Sequence, residues 1–191
     1  RGQPIPTPGP QYLLLNFNGG TVTIPSEGGS ITVGAFDAAD IDAAYAGQTS
    51  AIKAKIVETV RQDYSRFHIQ IVTSDDPPPP VDCKSTIYFG DYSSTKFGVA
   101  QGVDQGNRNR CDDGIVFTDN FTTTTVNNIP MPLFTPLPTV EGIGIAIGNI
   151  AAHEAGHLLG LNHVADVADL MDSTGSASTL LADQEFKTSV L

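Results

Sequence analysis

Residues 153–163 read His153-Glu154-Ala155-Gly156-His157-Leu158-Leu159-Gly160-Leu161-Asn162-His163. Upstream of them, Ile143, Ile147, Ile150, Ala151 and Leu158 recur at helical spacing, and Thr139 is a candidate N-cap. That pattern predicts a helix over Val140 to Gly160. On it His153 and His157, four residues apart, project from one face. Gly160 can take the left-handed conformation that ends a helix, so the chain can turn back and bring His163 to the same point. Three imidazoles suit Zn²⁺, each nitrogen about 2.0–2.1 Å from the ion, and leave a fourth position open, as catalytic sites do. Glu154, beside the first candidate ligand, is placed to act as a base on water at that position without ligating the metal. The alternative, ordinary core or surface histidines, is weakened by the count. Three of the chain's four histidines fall in the pattern, and five fixed positions agree by chance on the order of one time in a hundred thousand.

Further along, Asp169-Leu170-Met171-Asp172 places a methionine eight residues after His163. With it, residues 153–163 resemble the metzincin signature HExxHxxGxxH and its Met-turn. Gly98-Val99-Ala100 and Gly114-Ile115-Val116-Phe117 are similar to the family's sheet strands before the active-site helix. The resemblance spans about residues 11–190, with its specific part confined to 153–172. It implies an α/β fold: a twisted, mostly parallel sheet with an antiparallel edge strand, two long helices and a small C-terminal subdomain. It also implies a zinc-dependent endopeptidase, in which a metal-bound water is activated by Glu154 and Met171 forms an apolar floor without ligating. The edge strand, here Gly98, Val99, Ala100, Gln101, Gly102 and Val103, would hold an extended protein or peptide substrate. An ordinary core methionine is the other reading of Met171. Ser173 stands where astacin-like and serralysin-like members carry a tyrosine, and Val164 points to no subfamily. Two other functions stay open: an idle zinc-binding or surface-binding module on the same fold, and a protease that mainly processes its own precursor.

Working outward along the chain, residues 1–10 read as an extended tail, and 11–191 as one catalytic domain divided near residue 163 into upper and lower parts. Tyr12 to Phe17 is a β-type run closed by Asn18-Gly19-Gly20. Thr21 to Ile24 and Ile31 to Val33 predict a hairpin, which the resemblance does not place, and Asp37 to Asp42 a polar transition. Ile52, Ile56, Val57, Val60 and Tyr64 predict an amphipathic helix over Ser50 to Phe67. Strands are expected at His68 to Thr73, ended by Pro77 to Pro80, and at Thr86 to Phe89, Gly98 to Val103 and Gly114 to Thr118. Asp119 to Pro138 reads as irregular, and Ser178 to Val190 as a final short helix. Strands mixed with a helical crossover fit an α/β layer.

The charge balance, 10 basic against 21 acidic residues for a net −11, argues against nucleic acid and anionic membranes as partners. No apolar run approaches the roughly 18–20 residues that span a bilayer. A single protein chain is expected. The start at Arg1, running into the proline-rich stretch Pro4 to Pro10, reads as a trimmed, exported product. In that setting Cys83 and Cys111 are expected to form a disulfide; a thiolate of Cys83 capping the zinc in a latent form is the alternative. Asp104, Asn107, Asn109, Asp112 and Asp113 crowd one stretch, leaving Ca²⁺ open, although their spacing matches no EF-hand. His68 is expected at a strand end and not as a further ligand. Asp166, Asp169 and Asp172 are either acceptors for ligand imidazoles or solvated loop residues.

Overall fold

Along Gln11–Asn16 (β1) every second residue is buried, Gln11, Leu13 and Leu15 among them, and Phe17 continues the alternation. That periodicity belongs to a strand with one face in a core. The computed structural model describes residues 10–121, 123–126, 129–173 and 177–187; the expected tail at 1–10 therefore lies almost wholly outside the described residues. After β1 come Gly20–Ile24 (β2), Gly29–Val33 (β3), the short helix Ala38–Ile41 (α1), the helix Thr49–Asp63 (α2), Ile69–Thr73 (β4), Ser85–Phe89 (β5), Gly98–Ala100 (β6) and Asp113–Val116 (β7). Thr123–Val126 (β8), Ile129–Pro132 (β9), the helix Val140–Leu158 (α3) and the four-residue helix Ala177–Leu180 (α4) complete the order.

The main sheet runs β4-β1-β5-β7-β6. Its first four strands are parallel, and β6 joins β7 antiparallel as an edge, with Val99 opposite Ile115. This is the mixed α/β, mostly parallel sheet that the sequence predicts. Helices α2 and α3 cover one face, packing Ile52, Ile56, Val60, Ile143, Ile147 and Ala151 against Leu13, Leu15, Ile87, Phe89 and Val116. The two helices approach closely because α3 is smooth where they touch: a Cβ at Gly148 would lie 2.7 Å from Thr59 Cβ. Among the described residues no helix is long and apolar enough to cross a membrane.

The β2–β3 hairpin covers the opposite face, where Val22, Ile24 and Val33 meet Val99, Ile115 and Phe117. It also grips the chain on both sides of β6, through an ion pair of Glu27 with Lys96 and a bond from Gln101 Nε2 to Thr23 O of 3.2 Å. The hairpin thus backs the edge strand.

Several expectations change. The edge strand is only Gly98–Ala100; Gln101 still donates to Asp113 O, but Gly102 and Val103 leave the sheet. Asp119 to Pro138 is not irregular throughout, since it contains the antiparallel pair β8–β9. Asp37 caps α1 by accepting from Ala39 N–H, so the polar transition is a helix start. The helix α2 stops at Asp63 rather than Phe67. The expected helix from Ser178 to Val190 is reduced to Ala177–Leu180; beyond it Glu185 bridges to Asp169, and Phe186 is buried against Tyr64 and Phe67. Residues 188–191 lie outside the described residues.

Cys83 and Cys111 are joined, and among the described residues no cysteine is free, so a capping thiolate has no thiol to form from. Thiol titration of the unfolded, unreduced chain should find no sulfhydryl and then two after reduction. Two without reductant would contradict the bond.

Asp63 departs from the solvated role its place in an amphipathic helix suggests. It is 6% exposed, and neither carboxyl oxygen has a hydrogen-bond partner. Burial first, then the charges of Asp183 and Glu185, push its pKa up to about 8. Unfolded, the same group ionises near pH ~3.9. The folded state therefore binds the extra proton between those values. Its stabilising contribution is complete below about pH 4 and is lost as pH rises through about 8. Asp63→Asn should raise stability at pH 8 by about 1–3 kcal/mol and change it much less at pH 4, measured by denaturant unfolding. An equal effect at both pH values would contradict the assignment.

Candidate metal centre

The helix α3 begins at Thr139, whose hydroxyl accepts from Gly142 N–H, and ends at Leu158. Gly160 follows at φ +100°, and a Cβ there would lie 2.8 Å from Asp104 O, so the turn needs glycine for both conformation and space. This turn returns His163 to the helix face that carries His153 and His157.

The three imidazoles meet edge to edge. His163 Nε2 lies 3.1 Å from His153 Nε2 and 3.0 Å from His157 Nε2. The far nitrogens are already used: His153 Nδ1–H donates to Leu170 O and His157 Nδ1–H to Leu161 O, each at 2.8 Å. With those hydrogens on Nδ1, both Nε2 atoms present bare lone pairs toward His163. One proton on His163 can satisfy only one of them, so the cluster calls for a cation at its centre. Burial holds His153 down at about 4 and also lowers His157, which keeps both neutral and able to ligate at pH 7. Nitrogen ligands on a tetrahedral zinc lie ~3.3 Å apart, from Zn–N distances of about 2.0–2.1 Å; the two short separations are close to that. Among the described residues this is the one group of three or more His, Cys, Asp or Glu that could hold a metal.

Glu154 is buried, 7% exposed, against the edge strand. Burial pushes its carboxyl up to about 8, while the Ala100 N–H that it accepts from and the charge of Lys96 draw it down. In β6 the odd positions serve the sheet: Phe97 O accepts from Phe117 N–H, and Gln101 N–H donates to Asp113 O. The main-chain groups of Gly98 and Ala100 therefore point to the outer edge. With Ala100 N–H on Glu154, the groups left for an extended partner are those of Gly98 and the Ala100 carbonyl. The expected six-residue edge is correspondingly shorter.

A cleft of about 280 Å³ opens beside the triad. Gly98, His153, Glu154 and His163 line it, as do Leu170, Leu180 and Gln184. Met171 is fully buried against Gly156, where a Cβ would lie 2.5 Å from its Sδ, and its carbonyl accepts from Val164 N–H beside His163. Residues 169–172 thus orient one imidazole through Leu170 O and anchor the chain next to another.

For His153 and His157 the ring acceptors are main-chain carbonyls and not the candidate aspartates. Asp169 accepts from Met171 N–H and Lys187 N–H, Asp166 from Ala168 N–H, and Asp172 lines the cleft. Main-chain carbonyls of Leu161 and Leu170 do that work, and a carbonyl, present in every residue, leaves no mark in a sequence. His68 is exposed before β4, away from the triad's set of ligand atoms. In the acidic stretch, Asp104 accepts from Asn109 N–H, Asn107 donates to Gln11 and Asp112 accepts from Ser85. These side chains tie the loop to itself, β1 and β5, and nothing in the arrangement supports calcium.

No protein-family model matches the sequence, and no curated protein matches it. Among solved structures the chain is similar to archaemetzincin from Methanopyrus kandleri, at 13% identity over 94% of this chain and 90% of that one, with a TM-score of 0.48. It is also similar to metalloproteinase-II from Bacteroides fragilis, at 18% identity over 96% of this chain and 52% of that one, with a TM-score of 0.40. The chain thus spans about half the length of the second protein. With likenesses this distant, the chemistry of the site has to be read from its own atoms.

Proposed function

We propose that the chain is a zinc-dependent endopeptidase of the metzincin type, with His153, His157 and His163 as ligands and Glu154 as the proton carrier. The observation that supports it most is the convergence of bare imidazole nitrogens beside a buried carboxylate at the edge of an open cleft. A zinc ion held there would supply Lewis acidity to a scissile carbonyl and to an attacking water. Glu154 would take the water's proton and deliver it to the leaving amine. Its raised pKa suits the second transfer, and a nearby divalent charge would favour the ionised form needed for the first. Gly98 and the Ala100 carbonyl would pair with an extended substrate and fix the scissile bond over the site.

Metal analysis combined with casein hydrolysis tests this. The purified chain should carry about one zinc, lose hydrolysis to a chelator and regain it when zinc is restored. Bound zinc without hydrolysis of any polypeptide would leave a zinc-binding module and end the peptidase reading.

A further inference from the structure

We infer that Asn149 is a positioning residue that fixes the far wall of the cleft, and through it the side chains a substrate can present there. This rests on the peptidase reading for its second half only. Asn149 lies one turn before His153 on α3, is 1% exposed and borders the cleft. A buried amide costs stability where its hydrogen bonds are not made; here Oδ1 has no hydrogen-bond partner and Nδ2 carries the bonding. Its Nδ2 donates twice, to Leu180 O at 2.9 Å and Ala182 O at 2.7 Å.

Those two carbonyls lie in a segment that is also held from outside: Leu180 and Leu181 pack against the core, Gln62 Nε2 donates to Asp183, and Glu185 O accepts from Leu170 N–H. The helix α4 has four residues, and the turn after it includes a bond from Ala182 N–H to Thr179 O. The last carbonyls of a helix have no partner within the helix, so here one side chain of α3 takes the place of a continued ladder. The same segment supplies Thr179, Leu180 and Gln184 to the cleft, which Ile150 and His153 also line. Asn149 therefore ties this wall directly to the active helix by hydrogen bonds. Ile150, Leu170 and Leu180 contribute apolar surface to the lining, and Thr179 and Gln184 are among its polar residues. The side chain admitted is then an aliphatic one whose size is limited by where Asn149 holds the wall.

Two substitutions separate hydrogen bonding from packing. Asn149→Ala removes donor and volume together; Asn149→Asp keeps the volume and turns an oxygen toward two carbonyls. Hydrogen exchange of the amides of residues 180–187 should quicken about tenfold in Asn149→Ala and at least as much in Asn149→Asp. Zinc content should stay at the parent value in both. With a peptide library, the preference between best and worst side chains should shrink about tenfold, while turnover of the best peptide falls less. A uniform loss across all peptides would overturn the specificity role. An Asp variant that exchanges at the parent rate while Ala exchanges faster would mean that volume holds the wall, and would overturn the positioning role. If the parent chain cleaves no peptide, the peptidase reading falls, and the exchange order still decides whether Asn149 holds the wall.

Discussion

Glu154→Ala should bind about one zinc per chain and turn over peptide about 10³-fold more slowly than the parent. The two properties separate because the carboxylate takes no part in the triad. The Nε2 atoms of His153 and His157 meet at His163, and their rings are oriented by Leu170 O and Leu161 O, none of which involves residue 154. The carboxylate instead lies against β6, bonded to Ala100 N–H. Truncating it leaves that N–H unpartnered near the cleft, where water can reach it, so folding should survive. His157→Ala is the counterpart: it removes a nitrogen from the centre and should lose zinc and turnover together. Metal analysis beside single-turnover kinetics distinguishes the two outcomes. A Glu154→Ala chain that no longer holds zinc would show that the carboxylate is a ligand.

Gly98→Ala should lower kcat about 10²-fold with zinc content unchanged. A methyl group at Gly98 would lie 2.7 Å from both Cγ and Oε1 of Glu154 and 2.8 Å from Ile150 Cγ2. Contacts that short cannot persist, so either the carboxylate shifts toward the cleft or the edge strand moves, by several tenths of an ångström or more. Either movement displaces the proton carrier from the scissile bond, and misplacement on the scale of 1 Å is worth about that rate. Gly102→Ala is the control, because a Cβ there meets nothing within 4 Å. If Gly98→Ala turned over peptide at the parent rate, the close approach of β6 to Glu154 could not matter for catalysis.

How much of this was legible in the sequence depended on whether side chains or contacts carried the information. The helix α3, its Thr139 cap, the turn at Gly160 and the three converging histidines follow from residue identity and spacing, and the structure reproduces them. Strands such as those of Ile87 and Ile115 were legible as apolar β-branched runs and their order with the helices suggested a partly parallel sheet, while the antiparallel edge was implied only by the metzincin resemblance. The pair β8–β9 was not legible. Its strands read Thr123-Thr124-Thr125-Val126 and Ile129-Pro130-Met131-Pro132, so the first shows no apolar alternation in sequence and the prolines of the second argue against a strand. The C-terminal helix failed for the opposite reason. Thr179, Leu180 and Phe186 satisfy helical spacing, but Phe186 is held between Tyr64 and Phe67 and Glu185 by the Met171 loop. Contacts distant in sequence outweigh local propensity there. Asn149 escaped notice because its role lies in two carbonyls more than thirty residues away.

The reliance of His153 and His157 on the carbonyls of Leu170 and Leu161 has a consequence for how this centre tolerates change over generations. A ring oriented by an aspartate loses its orientation when that one codon drifts. A ring oriented by the peptide backbone keeps it through replacement of either leucine, so long as the apolar fit that fixes the chain path is preserved: Leu170 is 2% and Leu161 7% exposed. The protonation state of the two imidazoles is thus inherited with the path of the loop. Replacing either leucine by another apolar residue that keeps the loop's path would therefore present the same bare nitrogens, whereas Gly156 and Gly160 leave no room for such exchange.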